Sequence, residues 1–177
     1  GQRLLMGSLG ASPGYPAKAS LWQVGAKDLP DLAYAGMGPV VFAADGSPLQ
    51  LTIRAEPSEL VLVDLATGEV ASHFALPPGV VAEDPAGVAV TPDGASVAAM
   101  ATSPDGQTVV LVWNPAAQTW LDPLPCPGAT ALSFSPDGTL LAGGTRDGVL
   151  LVWSAVTGRT LASLQTGRNR IHAVALS

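Results

Sequence analysis

The chain has a single cysteine, Cys126, so an intrachain disulfide is excluded. It is poor in basic residues, with 8 Lys and Arg against 14 Asp and Glu. A nucleic-acid surface needs a basic stripe, and none is visible. An anionic membrane surface is disfavoured on the same ground. No apolar run approaches the roughly 20 residues of a membrane-spanning helix. Charged residues make up only 12% of the chain and hydrophobic ones 47%. Disorder needs the opposite balance. The lone thiol suits a reducing compartment, and a cytoplasmic location is the expectation. The opening stretch Gly1–Gly7 is too short and too interrupted for a secretion signal. A leader removed from a longer precursor stays open as an alternative.

What the chain does have is glycine (20) and proline (16), spread along its length as in a protein with many tight turns. One turn motif recurs. Val41-Phe42-Ala43-Ala44-Asp45-Gly46 is followed by Val88-Ala89-Val90-Thr91-Pro92-Asp93-Gly94 and by Leu132-Ser133-Phe134-Ser135-Pro136-Asp137-Gly138. The aspartates are 48 and 44 residues apart. Each copy is an apolar strand running into a turn, where Asp caps nearby backbone and Gly accepts positive φ. A second apolar run follows each turn (Leu49–Thr52, Val97–Ala101, Leu140–Gly144), then a third (Leu60–Asp64, Val109–Asn114, Val149–Ser154). A fourth closes each unit (Val70–Phe74, Trp120–Leu124, Thr160–Leu164). Each unit is therefore a meander of four short antiparallel strands.

The third runs are apolar at nearly every position, as in Val109-Val110-Leu111-Val112-Trp113 and Val149-Leu150-Leu151-Val152-Trp153. Strict alternation would mean one wet face, whereas continuous apolarity means both faces are covered. A buried helix is the competing account. Val-rich runs of this length flanked by Gly and Asp fit strands better. Sheets sandwiched between neighbouring sheets are what a β-propeller provides.

The segment Leu132–Ser154, LSFSPDGTLLAGGTRDGVLLVWS, resembles a WD-repeat blade of bacterial type. The tryptophan of the third strand recurs as Trp22, Trp113 and Trp153, with Val63 in its place in the second unit. The aspartate that usually follows it is kept only as Asp64; Gln23, Asn114 and Ser154 stand in elsewhere, and the usual Gly-His pair is absent. The network built on those residues is expected to be missing. The resemblance implies an all-β propeller of four-stranded antiparallel blades, about four in this chain. The expected blades are 1–38, 39–84, 85–128 and 129–170. Residues 1–38 read as a blade without a first strand, and 171–177 are the candidate to supply it. Three ring arrangements stay open: a partial ring within a larger propeller, a self-associating half-ring, and a closed four-blade ring.

Chemistry is not evident. There is no Gly-x-Ser-x-Gly and no phosphate-binding Gly-x-x-x-x-Gly-Lys. Gly143–Gly148 sits between two strands rather than before a helix, so it reads as a hairpin and not a nucleotide cradle. His73, His172 and Cys126 give no zinc spacing. The first strands, which would line a propeller's tunnel, carry no charged side chain. No catalytic, cofactor or metal residue is assigned. The expectation is a non-catalytic scaffold that binds protein partners through loops on one face. The resemblance places that face at loops 9–18, 55–59, 102–107 and 145–148, with 36–38, 76–86, 125–128 and 165–170. Arg and aromatic residues concentrate binding energy, so Tyr15, Arg54, Trp120, Arg146, Arg168 and Arg170 are the candidates. For each one alone, an ordinary solvated turn is the competing role. A segment of a propeller hydrolase or lactonase, with its active residues on other blades, is the alternative function. Self-assembly of a half-propeller is another.

Overall fold

A computed structural model describes residues 3–8, 18–23, 31–32, 38–43, 46–54, 58–82, 87–167 and 170–177. The architecture is all-β, with no α-helix among the described residues. No helix there is long and apolar enough to cross a membrane. Four antiparallel sheets follow one another along the chain. The first has three strands, β1 (Arg3–Ser8), β2 (Lys18–Gln23) and β3 (Asp31–Leu32). The second is β4 (Val40–Phe42), β5 (Pro48–Arg54), β6 (Glu59–Asp64) and β7 (Val70–Ala75). The third is β8 (Val88–Val90), β9 (Val97–Thr102) and β10 (Thr108–Asn114), with a fourth strand split into β11 (Thr119–Trp120) and β12 (Leu124–Pro125). The last is β13 (Ala129–Phe134), β14 (Leu140–Thr145), β15 (Val149–Ser154) and β16 (Thr160–Gln165). Within each sheet consecutive strands pair, apart from β12, which pairs with β10 beside β11, so each sheet is the expected meander. This is the architecture of a partial β-propeller of about four blades.

The split of the third sheet's last strand departs from the continuous run expected at Trp120–Leu124. Trp113 pairs with Trp120 and Val110 with Leu124, but Asp122-Pro123 interrupts the ladder. Proline has no N–H to donate and is confined to edges and irregularities. The first sheet contains three strands, and residues 170–177 form no strand. They run alongside the fourth sheet instead, where the Ile171 N–H donates to Thr145 O at 3.0 Å.

The core lies between the sheets, and the strands show why their sequences are continuously apolar. In β10, Val110 and Val112 pack toward the fourth sheet with Phe134, Leu141 and Trp153. Their neighbours Leu111 and Trp113 turn the other way, toward Leu76 and the second sheet. Strand β9 divides likewise: Val97 and Ala99 join the second sheet's Leu51, Leu60 and Leu62, while Ala98 joins the fourth sheet's cluster. Side chains alternate with period two, but both sides are covered. Burying each Leu or Val in this way contributes about 1.5–3 kcal/mol.

Trp113 and Trp153 serve this packing. Trp153 is 1% exposed. Its ring lies over Gly143, where a Cβ would come within 2.7 Å of two ring carbons. A small residue there is what lets the indole lie flat on the sheet.

In the second, third and fourth sheets the residue after the tryptophan position has a local job that survives its replacement. Asp64 Oδ1 accepts from the Ala66 N–H at 2.7 Å, Asn114 Oδ1 from Ala116 N–H at 3.0 Å, and Ser154 Oγ from Thr157 N–H at 3.3 Å. All three cap the turn to the fourth strand, which short polar side chains do well. That turn needs positive φ four residues on. Gly68 (φ 75°) and Gly158 (φ 71°) supply it, and in the third sheet Gln118 (φ 53°) takes the strained conformation. Its side chain donates to Pro115 O at 2.7 Å, which offsets part of the cost.

Candidate interaction surface

In an antiparallel meander the second-to-third and fourth-to-first connections fall at one end of each sheet. At the fourth sheet this end is tightly stitched. The Arg146 N–H donates to Gly128 O at 2.8 Å, tying the hairpin to the connection that precedes the sheet. Thr145 O accepts from Ile171 N–H, tying the same hairpin to the connection that leaves it. Thr145 is 3% exposed, and its Oγ accepts from the Val149 N–H at 3.0 Å, closing the turn. Gln165 Nε2 donates to Asp147 O at 2.9 Å, and Thr166 Oγ to Gly148 O at 2.8 Å. Three chain segments thus converge on one rigid corner. Arg146 and Arg170 are each one residue from the Thr145–Ile171 bond; both are exposed, and neither joins an ion pair among the described residues. Two cations separated by 24 residues of sequence are brought together on a chain of net charge −6.

The other expected contact residues have different surroundings. Arg54 Nη1 lies 2.9 Å from Oε1 of Glu59, a carboxylate buried at 6% exposure. His73 Nδ1 lies 3.0 Å from the other oxygen, Oε2. The guanidinium and the imidazole thus pair a charge that burial would otherwise strand. Trp120 Nε1 donates to Ala75 O of the second sheet at 2.7 Å. Its ring meets Trp113 edge-on at 5.4 Å, and Trp113 meets Phe74 in the same way. Trp120 therefore ties the third sheet to the second. Tyr15 and Arg168 lie outside the described residues.

At the opposite end, the turns at Asp93 and Asp137 share one hydrogen-bond pattern. Thr91 Oγ donates to Asp93 Oδ1, and Ser135 Oγ to Asp137 Oδ1, both at 2.6 Å. Ser103 makes the same bond to Asp105 in the β9–β10 hairpin, which lies at the end that carries Arg146. These hydroxyls hold the three carboxyls below the ordinary value of 3.8, with backbone N–H donors adding to the effect. The Asp-Gly signal in the sequence is thus turn chemistry. Between the first strands runs a groove of about 280 Å³ lined by Val88, Val90, Leu132 and Phe134, with Pro39, Pro92 and Pro136. Cys126 is fully buried, and burial pushes its thiol up to about 11. Among the described residues, no group of three His, Cys, Asp or Glu is placed to hold a metal ion.

Residues 124–154, from β12 through β15, match the family model of the WD domain, G-beta repeat. No curated protein matches the chain. The matched repeat and the succession of four-stranded antiparallel sheets fit a WD-repeat β-propeller. WD repeats commonly serve protein–protein interaction.

Proposed function

We propose that this chain is a non-catalytic propeller scaffold that holds protein partners at the loop end where Arg146 and Arg170 flank one backbone hydrogen bond. The convergence of those two arginines at the Thr145–Ile171 bond carries the reading. Guanidinium groups form paired hydrogen bonds to carboxylates, so the fitting partner presents an acidic segment. Arg168, two residues before Arg170, belongs to the same sequence cluster. Arg54 and Trp120 are engaged within the fold, so the reading does not rest on them. The titratable-free first strands along the inner groove support a role without chemistry. The single buried thiol of Cys126 supports a cytoplasmic site of action.

The test is site-specific photo-crosslinking in an extract of the source cells. A photoreactive residue at position 146 or 170 should trap a discrete protein, and one at position 137, at the opposite end, should not. Arg146→Glu should abolish trapping from position 170. Equal trapping from position 137, or none from 146 and 170, would count against this surface.

A further inference from the structure

The chain contains five Asp-Gly pairs. At such a pair the aspartate is prone to rearrange, because glycine has no Cβ to shield its amide nitrogen from the neighbouring carboxyl. Both residues are described at Asp93-Gly94, Asp105-Gly106, Asp137-Gly138 and Asp147-Gly148. In each of these the aspartate is exposed and the glycine has positive φ. Exposure and glycine conformation therefore do not separate the pairs. The hold on the two reacting groups does.

In three pairs both groups are held. The Asp93 carboxyl accepts from Thr91 Oγ at 2.6 Å and from the Ala95 N–H at 3.0 Å. The Asp137 carboxyl accepts from Ser135 Oγ at 2.6 Å and from the Thr139 N–H at 3.0 Å. Asp105 accepts from Ser103 Oγ. The N–H groups of Gly94, Gly106 and Gly138 donate to Thr91, Ser103 and Ser135 O at 2.8, 2.8 and 2.9 Å. Thr145 stands two residues before Asp147, as Thr91 does before Asp93, but its hydroxyl is bonded to the Val149 N–H instead. Among the described residues no group bonds the Asp147 carboxyl, and the Gly148 N–H reaches Thr145 O only at 3.3 Å.

We propose that Asp147-Gly148 is a site of spontaneous isoaspartate formation, the one of these four pairs that rearranges in the folded chain. The Gly148 nitrogen bonds to Cγ of Asp147, and the amide hydrogen leaves with the carboxyl hydroxyl as water. One water then opens the cyclic imide at the main-chain carbonyl of Asp147, so the backbone runs through the side chain. Composition is unchanged and the backbone is one carbon longer. Only a protonated carboxyl sheds its hydroxyl. The donors that hold the other three below 3.8 lower that fraction further. The product places a free carboxylate where Asp147 O now accepts from Gln165 Nε2 at 2.9 Å, in the hairpin that carries Arg146. The inference stands apart from the partner proposed for that corner.

The test is incubation of the 177-residue chain for several weeks at physiological temperature and pH, followed by peptide mapping. Isoaspartyl peptides keep the aspartyl mass and are told apart by chromatography and electron-transfer fragmentation. Isoaspartate at 147 should form about tenfold or more faster than at 93, 105 or 137, where a charge-assisted hydrogen bond must first be given up. In denaturant the four rates should converge, because the clamps are gone and the dipeptide is the same. Ser135→Ala should raise the rate at 137 in the folded chain. Equal rates at the four positions of the folded chain, or no isoaspartate at 147, overturn the proposal. A difference that persists in denaturant overturns it too, since flanking residues and not the fold would then set it.

Discussion

Leu124 and Leu164 hold equivalent positions in successive sheets, each opposite the residue two before a buried or half-buried valine of the third strand. One is 6% exposed and the other 58%. Truncating each to alanine therefore separates burial from residue type. Leu124→Ala removes a side chain enclosed by Val110, Cys126 and Trp153, and such cavities cost about 2–5 kcal/mol. At Leu164 only about two-fifths of the residue is out of water. Full burial of a leucine contributes about 1.5–3 kcal/mol, so its truncation should cost roughly 0.6–1.3 kcal/mol, with no cavity term because the site is open. The assay is urea unfolding followed by tryptophan fluorescence, at concentrations where the chain is a single copy. Both variants should keep the wild-type dependence on urea while their midpoints separate. Equal losses at the two positions would refute the difference in burial between them.

Gly143→Ala should destabilise the chain by about 1–3 kcal/mol in thermal unfolding, because its Cβ would press on the Trp153 ring at 2.7 Å. Cys126 should resist alkylation at mildly alkaline pH in the folded chain and react rapidly in denaturant, since burial pushes its thiol up to about 11. Labelling of the native chain at the denatured rate would show that the thiol is not enclosed. Asp93 should titrate below 3.8 in carboxyl NMR, and Thr91→Val should move it back toward that value. A depressed carboxyl contributes stability above its unfolded pKa and loses it as pH falls through the lower folded value. The Thr91→Val penalty should therefore be present at neutral pH and shrink below pH 3.8.

The strands were legible in the residues because their signals are local. Runs such as Val109–Trp113 are β-branched and continuously apolar, and the Asp-Gly turns bracket them at a regular spacing. The stand-ins at Asn114 and Ser154 read as losses against the WD pattern, yet they cap the same turn as Asp64. Backbone capping asks only for a short side chain with an acceptor. The break at Pro123 was visible as a residue, but its effect depends on which N–H the ladder requires there. Residue type alone does not distinguish the expected contact residues, and the surroundings of the four described ones differ. Trp120 donates across to Ala75, Arg54 pairs with Glu59, and Arg146 and Arg170 are exposed on either side of the Thr145–Ile171 bond. Sequence by itself determined where strands and turns fall, because propensity, period and turn chemistry act over a few residues. Only tertiary structure decided which apolar faces are covered and which charges are paired. Coverage depends on what packs across a gap from distant parts of the chain, so Leu124 and Leu164 can share a residue type and a strand position and differ in everything else.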